Sequence, residues 1–302
     1  MHDLSLGFIG FGEAGFHLAR GLHDAGLTSL AAYDIQSDAP GAGELIRQRA
    51  RDSGTRLVAS PRALAGESRV LFSTVTSASA QAAATQTVAY LEPHHTYADL
   101  NSVSPALKQQ IGRIIAPSGS GFVEAAVMGP VPPHGHRVPI LLGGPAAREL
   151  ADRLTPFGLR LEVLTDQIGP ASAVKMCRSL VVKGLEALLF ECVLGASRYD
   201  ADARVFASLA DTFPGVDWKA LADYTTGRVA VHGERRAREM EEVAETLRAM
   251  GVEPIMASAT ARRQQWAAAL GLRDRFGAEG PASYQDVLAE VANREGRDGD
   301  EG

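Results

Sequence analysis

The sequence predicts an α/β protein, in which an N-terminal doubly wound parallel sheet is followed by an all-α C-terminal domain. Short apolar runs alternate with helical stretches as far as residue 167, a glycine-rich turn follows the first run, and no strand-like segment occurs after Gly169. Such alternation is typical of βαβ units in a parallel sheet. The predicted domains are residues 1–167 and 168–292, and the polar, glycine-rich tail at 293–302 is expected to be disordered.

The first domain contains eight predicted strands, all short and rich in apolar residues. They are Leu4–Ile9, Leu30–Tyr33, Arg56–Ala59, Arg69–Val75, Thr96–Leu100, Phe122–Ala126, Val138–Leu142 and Leu159–Val163. Four predicted helices between them are Glu13–Ala25, Glu44–Arg51, Ala78–Leu91 and Ala146–Leu154. Two more begin at Pro61 and Pro105, because each proline follows a serine, and a serine N-cap before proline marks a helix start.

The second domain is predicted to be entirely helical. Its first helix, Ala171–Ser197, has a wide apolar stripe and would extend roughly 40 Å at 1.5 Å per residue. A helix so apolar must be buried between partners. We therefore expect it to bridge the two domains and to form the interface of a homodimer. The further helices predicted are Asp202–Asp211, Asp217–Arg228, Glu234–Met250, Ile255–Leu270 and Ser283–Ala292.

Composition excludes several classes of protein. Among 302 residues 45% are hydrophobic, the net charge is −6, and the Lys/Arg runs are short, so a nucleic-acid-binding surface is not expected. No apolar segment reaches the roughly 18 to 20 residues that cross a bilayer, and the N-terminus does not resemble a signal peptide. The two cysteines, Cys177 and Cys192, lie too far apart on one predicted helix to pair, and two thiols alone make no zinc site. We expect a cytoplasmic, metal-free protein.

A glycine motif predicts a cofactor site. Residues 6–15 read LGFIGFGEAG, which is G-x-G-x-x-G directly after a strand and opening a helix. In a Rossmann domain Gly10 would form the tight turn, Gly12 would let the backbone approach a pyrophosphate, and Gly15 would let the helix lie close to the strand. The pyrophosphate would rest on the helix N-terminus. A plain strand–turn–helix is the alternative. The residues expected to contact the cofactor here are Gly10, Phe11, Gly12, Glu13, Ala14 and Gly15.

An acidic residue at the end of the second strand favours NAD over NADP. Asp34 follows Leu30–Tyr33 and lies 19 residues after Gly15. A carboxylate at this place accepts hydrogen bonds from the adenosine ribose hydroxyls and repels a 2′-phosphate. No arginine follows it directly.

Four segments together resemble the β-hydroxyacid dehydrogenase group of the 6-phosphogluconate dehydrogenase superfamily. They are GFIGFGEAG at 7–15, DLNSVSP at 99–105, EAAVMGPVPPHGHRVPILLGG at 124–144 and GPASAVKMCRS at 169–179. The likeness extends over nearly the whole chain, and it is closest to the phosphogluconate dehydrogenase-like branch. The resemblance implies an NAD(P)-dependent dehydrogenase that transfers a hydride between the nicotinamide and an alcohol or carbonyl carbon of a β-hydroxyacid-like substrate.

The same resemblance implies roles for individual residues. Val75 and Thr76 match the loop that lies along the cofactor, and Asn101 and Ser102 match the segment that meets the substrate and the nicotinamide ribose. Lys175 matches the catalytic lysine of the family.

Two departures from the family pattern concern the substrate. Met128-Gly129-Pro130 stands where the family usually has Ser-Gly-Gly for the substrate carboxylate, and Ser179 stands where it has asparagine. They put recognition of a simple small acid in doubt. Arg178, three residues after Lys175, occupies a position where 6-phosphogluconate dehydrogenases have histidine.

Helical spacing agrees with these roles. Lys175, Arg178 and Ser179 are three and four residues apart and share a helix face. A partly desolvated lysine beside a cationic nicotinamide should have a lowered pKa, so it would accept the hydroxyl proton in oxidation and return it in reduction. A surface lysine is the alternative for Lys175. Arg178 suits either a substrate carboxylate or an ion pair with a structural acid.

Other functions and sites stay open at this point. An imine reductase shares the two-domain plan, and a non-catalytic cofactor-binding module is a further possibility. A proline-rich loop with His134, His136 and Arg137 would face either the site or solvent, and His232, Arg235 and Arg236 form a second candidate anion pocket.

Overall fold

A computed structural model describes residues 4–300 of the chain. Contacts divide the chain into two units, Met1–Lys175 and Met176–Gly302. The sequence predicts a boundary between residues 167 and 168, ahead of the long helix. In the structure the boundary falls inside that helix, because its first residues contact the sheet unit and its remainder contacts other helices.

The first unit contains one eight-stranded sheet with the order β3-β2-β1-β4-β5-β6-β7-β8. The strands are β1 (Leu6–Ile9), β2 (Leu30–Tyr33), β3 (Arg56–Leu57), β4 (Val70–Ser73), β5 (Thr96–Asp99), β6 (Gly121–Val127), β7 (Pro139–Gly143) and β8 (Arg160–Thr165). Strands β1 to β6 follow the doubly wound Rossmann order, whose switch point lies between β1 and β4. The crevice at the carboxyl ends of these two strands is therefore where a ligand is expected.

The sequence predicts a parallel sheet, whereas the observed sheet is mixed. β6 and β7 are antiparallel, and β7 and β8 are parallel to one another, so the last two strands run against the first six. The connection between β6 and β7 contains only a four-residue helix, α6 (Val131–His134), and a single 3₁₀ turn. Such a connection is too short for the crossover that parallel neighbours require.

Helices cover both faces of the sheet. Side chains of β1 alternate, with Leu6 and Phe8 in one apolar core and Ile9 in the other. The helices are α1 (Glu13–Asp24), α2 (Ala42–Asp52), α3 (Pro61–Glu67), α4 (Ala80–Thr87), α5 (Pro105–Ile115) and α7 (Ala147–Leu154). The two predicted serine caps are confirmed, because Ser60 Oγ accepts from Ala63 N–H and Ser104 Oγ accepts from Leu107 N–H.

The second unit is helical, and no strand occurs after Thr165 within the described residues. The helices from Pro170 onward are α8 (Pro170–Ser197), α9 (Asp202–Thr212), α10 (Trp218–Ala249), α11 (Ile255–Ala269), α12 (Leu272–Phe276) and α13 (Tyr284–Asp300). α12 is not foreseen by the sequence. α13 continues through residues 293–300, for which disorder is expected, and residues 301 and 302 lie outside the described part.

One helix replaces two that the sequence predicts. The prediction of separate helices at Asp217–Arg228 and Glu234–Met250 is wrong, because α10 is continuous through the intervening residues. Gly233 does not break the helix. A Cβ there would lie 2.9 Å from the Gln264 carbonyl oxygen, so the glycine serves the close approach of α10 and α11. No helix in the described part of the chain is long and apolar enough to cross a membrane.

Candidate functional site

The glycine turn after β1 is built by contacts with the segment after β4. Gly10 has a φ of +83°, and a Cβ there would lie 2.7 Å from Val75 Cγ1 and 3.0 Å from the Thr74 carbonyl oxygen. A Cβ on Gly15 would lie 3.0 Å from Thr74 Oγ1, which itself donates a hydrogen bond of 2.6 Å to the Gly10 carbonyl. Side chains at Gly10 and Gly15 would therefore force the turn away from β4.

Gly12 has a different role, because nothing lies within 4 Å of a Cβ built there. It is the N-cap residue of α1 and supplies no side-chain cap, and the next residue, Glu13, is exposed. The first amides of α1 have no intrahelical acceptors and share the positive end of the helix dipole. Open space at the Gly12 Cβ position, next to such amides and at the switch point of the sheet, fits the pyrophosphate of a dinucleotide.

Asp34 closes the turn from the side of β2. Its Oδ2 accepts a hydrogen bond of 2.7 Å from Phe11 N–H, and its Oδ1 accepts one of 2.8 Å from Gln36 N–H. The Phe11 ring lies in the core, 5.8 Å from the ring of Phe8. Sequence reasoning assigns Asp34 to the ribose and misses this second role. Each carboxylate oxygen keeps a further lone pair for a hydroxyl donor.

The loop after β4 is the opposite wall of the crevice. Val75 is half-buried against Gly10, and Thr76 is exposed. Thr76 Oγ1 donates a 3.0 Å hydrogen bond to Ser79 Oγ. The structure thus places Val75 against Gly10, and Thr76 follows Val75 in the same loop.

Asn101 lies at the carboxyl end of β5 and is only 5% exposed. Its Nδ2 donates to Ser73 Oγ at 2.9 Å and also to Asp99 Oδ1. Both amide hydrogens are thereby used. The amide oxygen, Oδ1, is buried and has no hydrogen-bond partner among the described residues. Asn101 therefore presents an acceptor for a hydroxyl group. The neighbouring Ser102 is half-buried.

A fully buried ion pair supports Asn101 from below. Lys108 Nζ lies 3.1 Å from Asp99 Oδ2 and donates a 2.5 Å hydrogen bond to the Asp99 carbonyl. Both side chains are at most 1% exposed. Burial, and next the charge of Asp99, raise the pKa of the Tyr97 hydroxyl far above its ordinary value. Sequence reasoning missed Lys108, although a lysine on the apolar face of α5, one turn before Ile111, is a readable signal.

A second buried carboxylate holds the start of α8. Glu124 Oε1 accepts hydrogen bonds from Gly169 N–H at 2.7 Å and Ala171 N–H at 3.0 Å, and Oε2 accepts one from Ser172 Oγ at 2.9 Å. Glu124 is fully buried on β6. A carboxylate on the first amides of a helix is stabilised by the helix dipole. Glu124 thus positions the helix that carries Lys175, and sequence reasoning missed it.

We expect Glu124→Ala to lower the free energy of unfolding by about 2–4 kcal/mol, because it leaves two amides and a hydroxyl unpaired in the interior. Glu124→Gln should cost less, since an amide oxygen can still accept from the α8 amides. Urea unfolding followed by far-UV circular dichroism measures both. Glu162→Ala, an exposed carboxylate on β8, is the matched control. A loss no larger for Glu124→Ala than for this control would contradict the role of Glu124.

The remaining predicted site residues lie after β6 and on α8. Met128 and Gly129 are half-buried and Pro130 is exposed, with Met128 N–H donating to the Pro139 carbonyl at 2.9 Å. Lys175 and Ser179 are half-buried and Arg178 is exposed. Lys175 is the last residue of the first unit, whereas Arg178 and Ser179 belong to the second.

One histidine of the proline-rich loop, His136, contacts α1 and not the glycine turn. The His136 ring lies against α1 at Gly21, where a Cβ would meet Nδ1 at 2.0 Å. Burial, and next the charge of Arg137, lower the pKa of His136. Within the described residues no cluster of three or more His, Cys, Asp or Glu could hold a metal ion, and both cysteines are free thiols.

Comparison with known proteins agrees with this geometry. Residues 5–157 match the family model described as the NAD binding domain of 6-phosphogluconate dehydrogenase, and residues 196–267 match a domain of unknown function, DUF1932.

Three solved structures are similar over most of their length. A conserved hypothetical protein from Sinorhizobium meliloti 1021 is 36% identical, with a TM-score of 0.82 over 97% of each chain. The conserved protein MTH1747, whose structure was found similar to 3-hydroxyacid dehydrogenases, is 30% identical, with a TM-score of 0.75 over 90% of this chain and 97% of that one. A 3-hydroxyisobutyrate dehydrogenase from Mycobacterium tuberculosis, solved with L-serine, is 16% identical and shares the fold, with a TM-score of 0.73 over 96% and 99%. The chain therefore belongs to the family of the 6-phosphogluconate dehydrogenase NAD-binding domain and has the fold of the 3-hydroxyacid dehydrogenases.

Proposed function

We propose that this protein is an NAD(P)-dependent dehydrogenase acting on the CH–OH group of a β-hydroxyacid-like, anionic substrate. The observation that carries the proposal is the glycine turn at the sheet's switch point. Gly10 and Gly15 are packed against Thr74 and Val75, directly after β4, while nothing lies within 4 Å of a Cβ built on Gly12, the N-cap residue of α1. When bound there, a nicotinamide dinucleotide supplies the hydride acceptor or donor.

In this proposal the chain's own residues hold the hydroxyl and move its proton. Lys175 Nζ accepts the substrate hydroxyl proton during oxidation and returns it during reduction. Asn101 Oδ1, whose amide hydrogens are taken by Ser73 and Asp99, accepts a hydrogen bond from a substrate or ribose hydroxyl. Ser102, next to Asn101 in the chain, offers its side-chain hydroxyl as a further hydrogen-bonding group. These three residues are the catalytic set.

We assign the substrate's anionic group to Met128-Gly129-Pro130 of the first unit. For Arg178 and Ser179, in the second unit, a role toward the substrate stays a prediction from the family resemblance. Met128 and Pro130 replace small residues of the family pattern, and Met128 N–H is already used by the Pro139 carbonyl. A short carboxylate at this position could therefore not use the Met128 N–H as a hydrogen-bond donor. We propose that the substrate is bulkier than a simple 3-hydroxy acid, or differently charged.

A second copy of this chain is part of the proposal. Val174, Val181 and Leu188 are 42%, 68% and 62% exposed, and they recur every two turns along α8. Exposed apolar stripes of this kind are commonly buried in oligomers. This supports the homodimer expected from the sequence.

Removing the proton carrier tests the reaction. We expect Lys175→Ala to lower turnover by about 10²–10⁴-fold, because it removes the general acid/base, while NADH affinity stays within about twofold. The assay is absorbance of the reduced nicotinamide with a panel of 3-hydroxy acids, alcohols and imines. Lys219→Ala, an exposed lysine of the helical unit, is the control.

Each outcome of the panel separates the candidate functions. Unchanged turnover in Lys175→Ala would reject the assigned role of the lysine. Turnover of imines alone would favour an imine reductase. A wild type that binds NADH but turns over no member of the panel would favour a cofactor-binding module.

Asp34 is proposed to make NAD the preferred cofactor. We expect Asp34→Asn to reduce the preference for NADH over NADPH by about tenfold, since 1.4 kcal/mol of charge repulsion against the 2′-phosphate is removed. The amide oxygen can still accept from Phe11 N–H, so the turn should survive. Nicotinamide fluorescence titrations with both cofactors measure the ratio. Asp152→Asn changes an exposed acid on α7 and should leave the ratio unchanged.

A further inference from the structure

Charged side chains of the helical unit form a cluster where α8 and α10 meet. On α10 the basic residues Arg228, His232 and Arg235 follow one another at intervals of four and three residues, so they lie on one side of the helix. We call them, with the neighbouring Arg236 and one residue of α12, the arginine cluster, which consists of Arg228, His232, Arg235, Arg236 and Arg273. The sequence hinted at an anion pocket through His232, Arg235 and Arg236, without Arg228 or Arg273.

The carboxylates of this region are already engaged. Glu186 and Arg236 form a buried ion pair of 2.9 Å, with side chains 2% and 6% exposed. Glu239 lies 2.9 Å from Lys183 and 2.6 Å from Arg235.

Glu186 and Glu239 thus pair with three cations, Lys183, Arg235 and Arg236, so the cluster keeps a net positive charge. Among the described residues Arg228 has no ion pair, although its charge acts on Glu186. Arg273 likewise adds a cation without a paired acid.

His232 is affected both by burial and by the arginines around it. Burial, and after it the charges of Arg228, Arg235, Arg236 and Arg273, lower the pKa of His232 to about 4. The four charges named here all belong to arginines. His232 is therefore neutral at pH 7 and keeps one ring N–H as a donor.

Several buried polar atoms at this place have no partner. The donors among them are Nε of Arg228, Nε of Arg236 and Nε2 of Gln264, and the acceptors are Oε1 of Gln264 and Oε2 of Glu186. Arg236 is 5% and Gln264 0% exposed. Gln264 lies beside Gly233, one turn from Arg236 on α10. Buried polar groups are almost always hydrogen-bonded, and unbalanced buried charge is costly. Three of the five atoms are donors and two of these belong to guanidinium groups, so a negatively charged acceptor fits this place.

We propose that the arginine cluster is an oxyanion-binding site of the helical unit, for a small molecule that bears a phosphate or a carboxylate. Arg228 and His232 are half-buried, so the ligand reaches them from solvent while Arg236 donates from below. A guanidinium group suits two oxygens of either anion. The site is independent of the proposed dehydrogenase reaction and would hold even if that proposal fails.

Thermal unfolding of the full-length protein tests the site, with inorganic phosphate and malonate as separate probes against sodium chloride of equal ionic strength. Trp218 and Trp266 both lie in the helical unit, so tryptophan fluorescence follows that unit alone. We expect a saturable rise in Tm with at least one probe, since a ligand of the native state stabilises it. The probe that acts at lower concentration identifies the anion class.

Matched variants locate the effect. Arg228→Gln should weaken binding at least about tenfold, and Arg273→Gln, an exposed position, provides the same test in case Arg228→Gln misfolds. Arg238→Gln, an exposed arginine of α10 paired with Glu234, should keep the wild-type rise in Tm. Gly12→Asp should keep it too, which separates this site from the glycine turn.

Three results would overturn the proposal. The first is a wild-type Tm that rises no more in phosphate or malonate than in chloride. The second is an equal rise in wild type, Arg228→Gln and Arg273→Gln. The third is a His232 pKa, followed by NMR, that stays near 4 in saturating anion, because a bound anion must raise it.

Discussion

Gly12→Asp should strongly weaken NADH binding and leave the protein as stable as wild type, or slightly more stable. A side chain at this position meets no protein atom within 4 Å, so it causes no strain. Aspartate is also a good N-cap residue and should stabilise α1 by up to about 1 kcal/mol. The same carboxylate would occupy the space over the α1 amides and repel the pyrophosphate. We expect affinity to fall by at least about 100-fold, or 2.7 kcal/mol.

This variant is informative because its NADH affinity should fall while its stability stays the same or rises. Nicotinamide fluorescence gives the affinity, and thermal unfolding by circular dichroism gives the stability. Gly66→Asp is the matched control, because Gly66 of α3 also has nothing within 4 Å of its Cβ. Wild-type NADH affinity in Gly12→Asp would show that the phosphates do not lie over α1. Lost affinity together with lost stability would point instead to a collapsed turn.

Lys108→Met should lower the free energy of unfolding by about 3–5 kcal/mol, because it leaves the fully buried Asp99 carboxylate without its counter-ion. Far-UV circular dichroism in urea is the measurement. Circular dichroism follows both units, whereas both tryptophans lie in the second unit.

Two variants control this result. Arg153→Gln breaks an exposed pair with Glu149 in the same unit and should cost less than about 1 kcal/mol. The double variant Asp99→Asn with Lys108→Met removes both charges and should recover part of the loss. A Lys108→Met protein as stable as Arg153→Gln would mean that the ion pair does not support β5 and Asn101.

Local signals in the sequence predicted the parts of the fold that depend on neighbouring residues. The serine caps at Ser60 and Ser104, the glycine turn and the change to helices after Gly169 all arise from short-range chemistry. The long-range contacts were not predictable in this way. The reversal at β7 follows from the length of a connection, and the continuity of α10 follows from Gly233 meeting α11.

The candidate site shows the same division. The glycines and Asp34 follow from spacing alone, because the motif places them at the ends of adjacent strands. Glu124 and Lys108 were missed because their partners lie on other elements, 45 or more residues away for the amides that Glu124 holds. The lysine on the apolar face of α5 is readable in the sequence, but its partner Asp99 and the amides that Glu124 holds are identified only by the fold.

The hydrogen bond from Phe11 N–H to Asp34 has a consequence for amide exchange. In the free protein this amide should already exchange slowly, because its acceptor is a half-buried carboxylate 2.7 Å away. The amides at the start of α1 should exchange quickly until a cofactor is bound. A turn fixed in advance loses little entropy when the ligand arrives, so the affinity of the dinucleotide is set by contacts and not by the ordering of a loop.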